Sequence, residues 1–158
     1  MPSLGFHHHD HSQCIEETMT SAVELCRRDK LKFTAQRRRV LEILLDEHRA
    51  LGAYEILEVL AREGLGAQPP VVYRALDFLV KNGLAHRIER LNAYVACTHV
   101  DSKHAPAFLI CRHCKTVSEA DTSLATWRVG LFAEVKGFKI ERVVVEAEGL
   151  CPACSEAA

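Results

Sequence analysis

Two Cys-x-x-Cys pairs constrain this chain more than any other feature: Cys111 and Cys114, then, after thirty-six intervening residues, Cys151 and Cys154. Four soft thiolates suit tetrahedral zinc in a closed, structural site. Either pair alone could serve as a redox dithiol, whereas two pairs in one chain favour metal. The spacer is longer than in a compact zinc ribbon, and a strand-helix-strand insert fills it. A chain of 158 residues holds one ordinary domain or two small ones with thin cores. In a module that small, metal binding free energy becomes folding free energy.

The seven cysteines are available as thiolates only in a reducing compartment. No apolar run approaches a membrane span, and the N-terminus lacks a charged-then-apolar signal pattern, so the expected location is the cytoplasm. The net charge of −1 carries no global nucleic-acid signature, but Arg27, Arg28, Lys30, Lys32, Arg37, Arg38 and Arg39 face only one anion, Asp29, within the same stretch. A locally basic surface fits nucleic acid, and equally a solvated face. The His7-His8-His9-Asp10-His11 tract is a possible chelating tail.

Taken in order, Ile15, Met19, Ala22, Val23 and Cys26 recur as one stripe of a first helix. Thr34 is the expected N-cap of a second, with Val40, Leu41, Leu44 and Leu45 buried. Arg37, Arg38 and Arg39 fall in its first two turns and oppose the helix dipole, so a phosphate backbone would explain them. A third helix is expected over 53–62, with Ile56, Leu57 and Leu60 inward. A fourth starts at Pro69-Pro70 and stops at Gly83. It turns Val72, Leu76, Leu79 and Val80 to the core and Tyr73, Arg74, Asp77 and Lys81 to the opposite face. Helices followed by a hairpin form the pattern of a winged helix-turn-helix. Beyond a polar linker the sequence predicts strands at 107–111 and 116–119. A helix then carries Leu124, Trp127, Leu131 and Phe132, and a last strand spans 138–146. Trp127 is expected in the core or at a subunit interface.

If the hairpin turns at Leu91-Asn92, residue 88 pairs with 95 and His86 with Cys97. Directly opposed Cβ atoms are about 4.5–5.5 Å apart, so one metal could take both side chains. His99, His104, His113 and Glu119 are further candidates, and spacing does not choose among the three histidines. A mixed nitrogen, sulfur and oxygen set suits Zn²⁺ better than harder cations.

The segments FTAQRRRVLEIL, AYEILEVL, PPVVYRALDFLVKNGLAHRIE, NAYVAC and FLICRHC together resemble the ferric uptake regulator superfamily, and within it the zinc uptake regulator branch. The departures are Ala35, where the family usually carries Pro, and Val71, where it carries Thr. The resemblance implies an α+β chain in which an N-terminal winged helix-turn-helix DNA-binding domain precedes a small α/β dimerisation domain. The expected boundaries are a His-rich tail over 1–14, the winged-helix domain over 15–98, a hinge over 99–105 and the dimerisation domain over 106–158. It further implies structural zinc on Cys111, Cys114, Cys151 and Cys154, and regulatory zinc on His86, Cys97, His104 and Glu119, about two ions per subunit. Tyr73 and Arg74 match the family's Tyr-Arg pair on the recognition helix, and Arg37, Arg38 and Lys81 complete the expected DNA-binding set.

The function so implied is a zinc-responsive repressor, a homodimer on palindromic AT-rich operator DNA, with no membrane and no small-molecule substrate. The same fold could sense iron, manganese, nickel or peroxide instead. An enzyme fits less well: four ligands leave no open position for water at the regulatory zinc, and no HExxH-type run is present.

Overall fold

Thr34 begins the helix around which the first unit is built. Its side chain accepts the Arg37 backbone N–H at 3.3 Å, and its extended backbone (φ −68°, ψ 159°) feeds α2, Ala35–Asp46. Thr34→Ala should therefore lower stability by about 1 kcal/mol in urea titration, with an unchanged m-value.

The computed structural model describes residues 11–47, 49–66, 68–100, 106–121 and 123–157. His7–Asp10 and His104 lie outside these, as does most of the expected hinge. The described elements fall into two compact units. The first holds α1 (His11–Arg28), α2, α3 (Ala53–Arg62), α4 (Pro69–Lys81), β1 (Ala85–Ile88) and β2 (Ala93–Ala96).

Ala22, Leu41, Leu44, Leu45, Ile56, Leu60, Val72, Leu76, Leu79 and Leu84 interlock as the core of this unit. Each fully buried Leu contributes about 1.5–3 kcal/mol of transfer free energy. The α3 range is the one expected, and the Gly52 N–H donating to the Glu55 carboxylate at 2.8 Å secures its start. Two apolar residues assigned to the core are instead exposed, Val23 at 42% and Val80 at 37%. Both lie on helices whose buried stripe is narrower than periodicity implied.

Helix α4 stops where a left-handed residue turns the chain. Gly83 has φ +72°, its N–H donates to Val80 O at 3.1 Å, and the Leu84 N–H donates to Leu79 O at 2.8 Å. These paired bonds satisfy the last carbonyls and bury Leu84, so β1 starts directly off the helix. The wing register differs from the expected one. Residues Glu89 to Asn92 form a four-residue loop, closed by the Asn92 N–H on Glu89 O at 3.2 Å, with Asn92 at φ +46°. Ile88 therefore opposes Ala93, and His86 opposes Val95 rather than Cys97. The Cys97 N–H pairs with Leu84 O instead. Because the slip is two residues and side chains alternate with period two, His86 and Cys97 stay on one face as diagonal neighbours.

The second unit holds β3 (Pro106–Cys111), β4 (Val117–Asp121), α5 (Ser123–Val135), β5 (Val145–Gly149) and α6 (Pro152–Glu156). Its sheet has the order β4-β3-β5, with β3 antiparallel to β4 and parallel to β5. A parallel partner needs a crossover, and α5 supplies it. The expected strand over 138–146 is a correction: residues 138–144 form no strand, and β5 begins only at Val145. Phe138 and Val144 at the two ends of this stretch are exposed. Trp127, Leu131 and Phe132 on α5 are likewise exposed, at 62%, 44% and 68%, which removes Trp127 from the core of the isolated chain. Among the described residues no helix is long and apolar enough to cross a membrane.

Candidate metal centres and nucleic-acid interface

The four-cysteine centre is made by two turns at one end of the second sheet. Strand β3 ends at Cys111, and the chain reverses through Arg112, His113 and Cys114. The reversal is held by the Lys115 N–H on Cys111 O and the Cys111 N–H on Thr116 O, both 3.0 Å, with Lys115 at φ +62°. The Arg112 N–H reaches Gly149 O at 2.8 Å, so the turn is stitched to the end of β5. Two residues later Cys151 caps α6, and Pro152 occupies the first turn, where its missing N–H costs nothing. One helical turn on, Cys154 projects back.

The four sulfurs lie within 4.8 Å of one another, and Cys114 and Cys151 are 3.7 Å apart. A tetrahedral zinc with bonds of about 2.3 Å requires sulfur-sulfur spacings of about 3.8 Å. The residues therefore fit the ion. A thiolate rather than a thiol binds metal, and the surroundings favour the thiolate at Cys111 and Cys114. Backbone N–H groups of Cys151 and Cys114 point at the Cys111 sulfur and bring its pKa down to about 5. The Thr116 hydroxyl beside Cys114 lowers that thiol as well. Cys154 is pushed up to about 12 by its hydrogen bond with Cys151 and by burial.

The first unit supplies a second pair of side chains that could hold a metal ion. A ring nitrogen of His86, on β1, and the sulfur of Cys97, just beyond β2, lie within 4.8 Å of each other. Cys97 is fully buried, and its sulfur accepts the backbone N–H of His99 at 3.4 Å. His99 thus contributes its main chain to this pair, a role that spacing could not reveal. Glu119 stands on β4 of the second unit, directly across from Phe108. His104 falls outside the described residues. His113 sits in the Cys111–Cys114 turn, with Nδ1 3.5 Å from Cys154 Sγ.

On α4, Tyr73, Arg74, Asp77 and Lys81 are all exposed, along the face opposite Val72, Leu76 and Leu79. The three arginines of α2 separate into different roles. Arg39 is a correction to the phosphate expectation. Its guanidinium grips the Glu63 carboxylate through two bonds, 2.5 and 2.9 Å, and reaches Glu42 at 3.0 Å, tying α2 to the end of α3. The Glu63 hydrogen bond raises the Arg39 pKa further, so it stays a fixed cation of the fold. The guanidinium of Arg37 lies 3.9 Å above the Phe78 ring and donates to Lys32 O. Arg38 makes an exposed pair with Glu42 at 3.1 Å, of the kind that contributes only tenths of a kcal/mol and can be exchanged for another anion. Sequence position treated the three alike because only the tertiary structure places Glu63 and Phe78 beside two of them.

Comparison with known proteins agrees with this anatomy. The model of the ferric uptake regulator family matches residues 28–148. The zinc uptake regulation protein of Escherichia coli (strain K12) is 36% identical over 142 residues, spanning 89% of this chain and 83% of that protein. Among solved structures, a zinc uptake regulator complexed with zinc and DNA superposes with a TM-score of 0.87 at 35% identity, covering 90% of this chain and 96% of that one. The holo form of XcZur superposes at 0.81 with 34% identity, covering 90% and 99%. Sequence and fold agree over nearly the whole length, and the chain belongs to the ferric uptake regulator family.

Proposed function

We propose that this chain is a zinc-responsive transcriptional repressor whose metal-loaded homodimer binds palindromic AT-rich operators of zinc-uptake genes. The observation that carries the reading is its likeness, at more than a third identity, to a regulator solved with both zinc and DNA. The protein acts in the cytoplasm and has no catalytic role.

Cys111, Cys114, Cys151 and Cys154 would hold the structural zinc, which cross-links the end of the second sheet to α6. His86, Cys97, His104 and Glu119 would hold the regulatory zinc. Zinc held by this second set would tie the winged-helix unit to the dimerisation unit, and would thereby define the separation of the two α4 helices in a dimer. Two-fold symmetric readers need their recognition helices one DNA turn apart or a multiple of it. The sulfur of Cys97 favours Zn²⁺ over Fe²⁺ and Mn²⁺. The exposed apolar side chains Trp127, Leu131, Phe132 and Val135 of α5, with Phe138 just beyond it, support homodimerisation through this unit.

Tyr73 and Arg74 would read base edges from α4, while Arg37, Arg38 and Lys81 contact phosphates. Arg74→Ala should cost about 1–3 kcal/mol of operator affinity and relax sequence preference. Lys81→Ala should weaken operator and unrelated duplex alike and reduce the salt slope by about one. Equal losses on both duplexes for Arg74→Ala would remove it from base readout.

The defining experiment is fluorescence anisotropy with promoter DNA under buffered free zinc, with zinc per subunit counted in parallel. The expected result is operator binding that switches on as occupancy rises from about one to about two zinc ions per subunit. Binding that ignores zinc and answers iron, manganese, nickel or peroxide would keep the fold and overturn the assigned signal.

A further inference from the structure

The four sulfurs of the cysteine centre are not equivalently surrounded. Cys111 and Cys151 are buried, at 1% and 7% exposure, while Cys114 is exposed and Cys154 partly so. Main-chain N–H groups of Cys151, Cys114 and His113 converge on the Cys111 sulfur. The two outer sulfurs each meet a side chain: Cys114 Sγ lies 3.1 Å from Thr116 Oγ1, with the Thr116 main chain also bonded to it, and Cys154 Sγ lies 3.5 Å from His113 Nδ1. Four thiolates around one divalent cation leave a net charge of about −2, which must be shared among hydrogen-bond donors or left to water. Water at the exposed corner is also the route by which a chelator or a proton reaches a sulfur.

We propose that His113 and Thr116 are positioning residues of the four-sulfur centre, with the Nδ1–H of His113 donating to Cys154 Sγ and the Thr116 hydroxyl donating to Cys114 Sγ. This rests on the reading of the four cysteines as a zinc site. Both residues come from the Cys-x-x-Cys turn and its exit, so the first cysteine pair brings the donors for the two least protected sulfurs. His113 reaches across to α6, and its bond orients the one ligand carried by the last helix. Without that donor, Cys154 becomes the corner at which the ion leaves. His113 is thereby assigned to the structural centre, as a partner of a ligand and not a ligand itself.

The test uses the full-length chain with Cys97→Ser, so that only the four-sulfur centre is loaded. Zinc release to a chromogenic chelator is timed for this protein and after adding His113→Ala, His113→Asn or Thr116→Val. Asn is chosen because its side-chain amide can place an N–H near the position of Nδ1. Release should accelerate roughly tenfold or more for His113→Ala and for Thr116→Val, with His113→Asn returned towards the parent rate. With Co²⁺ in place of zinc, all variants should keep a tetrahedral four-thiolate spectrum, with the sulfur-to-cobalt charge-transfer band displaced in the Ala and Val variants and restored in Asn. A structural role alone would not move that band.

Release within twofold of the parent in both variants would overturn the proposal. So would loss of a ligand band in His113→Ala, since His113 would then be a ligand in place of Cys154. If the Cys97→Ser parent itself retains no zinc, the four-cysteine reading fails, and the proposal with it.

Discussion

Cys111→Ser is expected to release the structural zinc and unfold the second unit while leaving the first unit helical. The apolar interior of the second unit is thin: Ala107, Phe108, Ile110, Val117 and Ala133 are its buried aliphatic and aromatic residues among those described. A unit of this size buries too little surface to offset its chain entropy alone. Binding free energies of roughly 10–16 kcal/mol for structural zinc in small domains are of the size needed to make up the difference. Main-chain donors hold the Cys111 thiol down to a pKa of about 5, and serine offers neither a thiolate nor a soft ligand at that point. The measurement combines zinc counting, gel filtration and the fluorescence of Trp127, the only tryptophan, which lies on α5. Zinc should fall below one ion per subunit, the dimer should dissociate, and the Trp127 emission should shift to the red. A folded dimer that retains zinc at this centre would refute the structural role of the four cysteines.

Cys97→Ser should have the opposite profile, with the fold kept and the response lost. Cys97 is fully buried in the first unit, and serine is a smaller, polar replacement whose hydroxyl can still accept the His99 N–H. What it cannot do is bind zinc with a soft thiolate beside His86. Zinc and operator must strengthen each other's binding by the same factor, and such couplings are typically about 1–3 kcal/mol. The variant should therefore melt as a cooperative dimer with one zinc per subunit, and its operator affinity in saturating zinc should fall about 5- to 150-fold, to the zinc-free level. Zinc-dependent anisotropy at wild-type strength would remove Cys97 from the regulatory set. Together the two cysteine variants separate folding from sensing, because each removes one sulfur from a different unit.

Much of this was written in short-range chemistry. The cap at Thr34, the bounds of α3, the Pro69-Pro70 start and Gly83 stop of α4, and the two cysteine turns all follow from residues a few positions apart. The pairing of the two Cys-x-x-Cys turns was legible too, since four thiolates have few other uses in one small chain. The wing shows where such reading stops. His86 and Cys97 share a face as expected, because period-two alternation survives an even slip, but their direct opposition was lost when the loop closed over Glu89 to Asn92. Residues 138–144 have strand composition, yet among the described residues they pair with no neighbouring strand, and composition cannot supply one.

The sequence by itself determined the Thr34 cap, the ends of α4, most of the buried stripes of the helices in the first unit and the grouping of the four sulfurs, because each depends on local backbone preference or on residue type. Only the tertiary structure decided that Arg39 belongs to Glu63, that Arg37 lies on Phe78, that His99 serves Cys97 through its main chain and that His113 stands beside Cys154. In three of these the partners come from separate elements, and in the His99 case the contact depends on how the chain leaves the wing. A hydrogen bond or ring contact forms over a few ångströms, and nothing in linear spacing records which groups packing will bring that close.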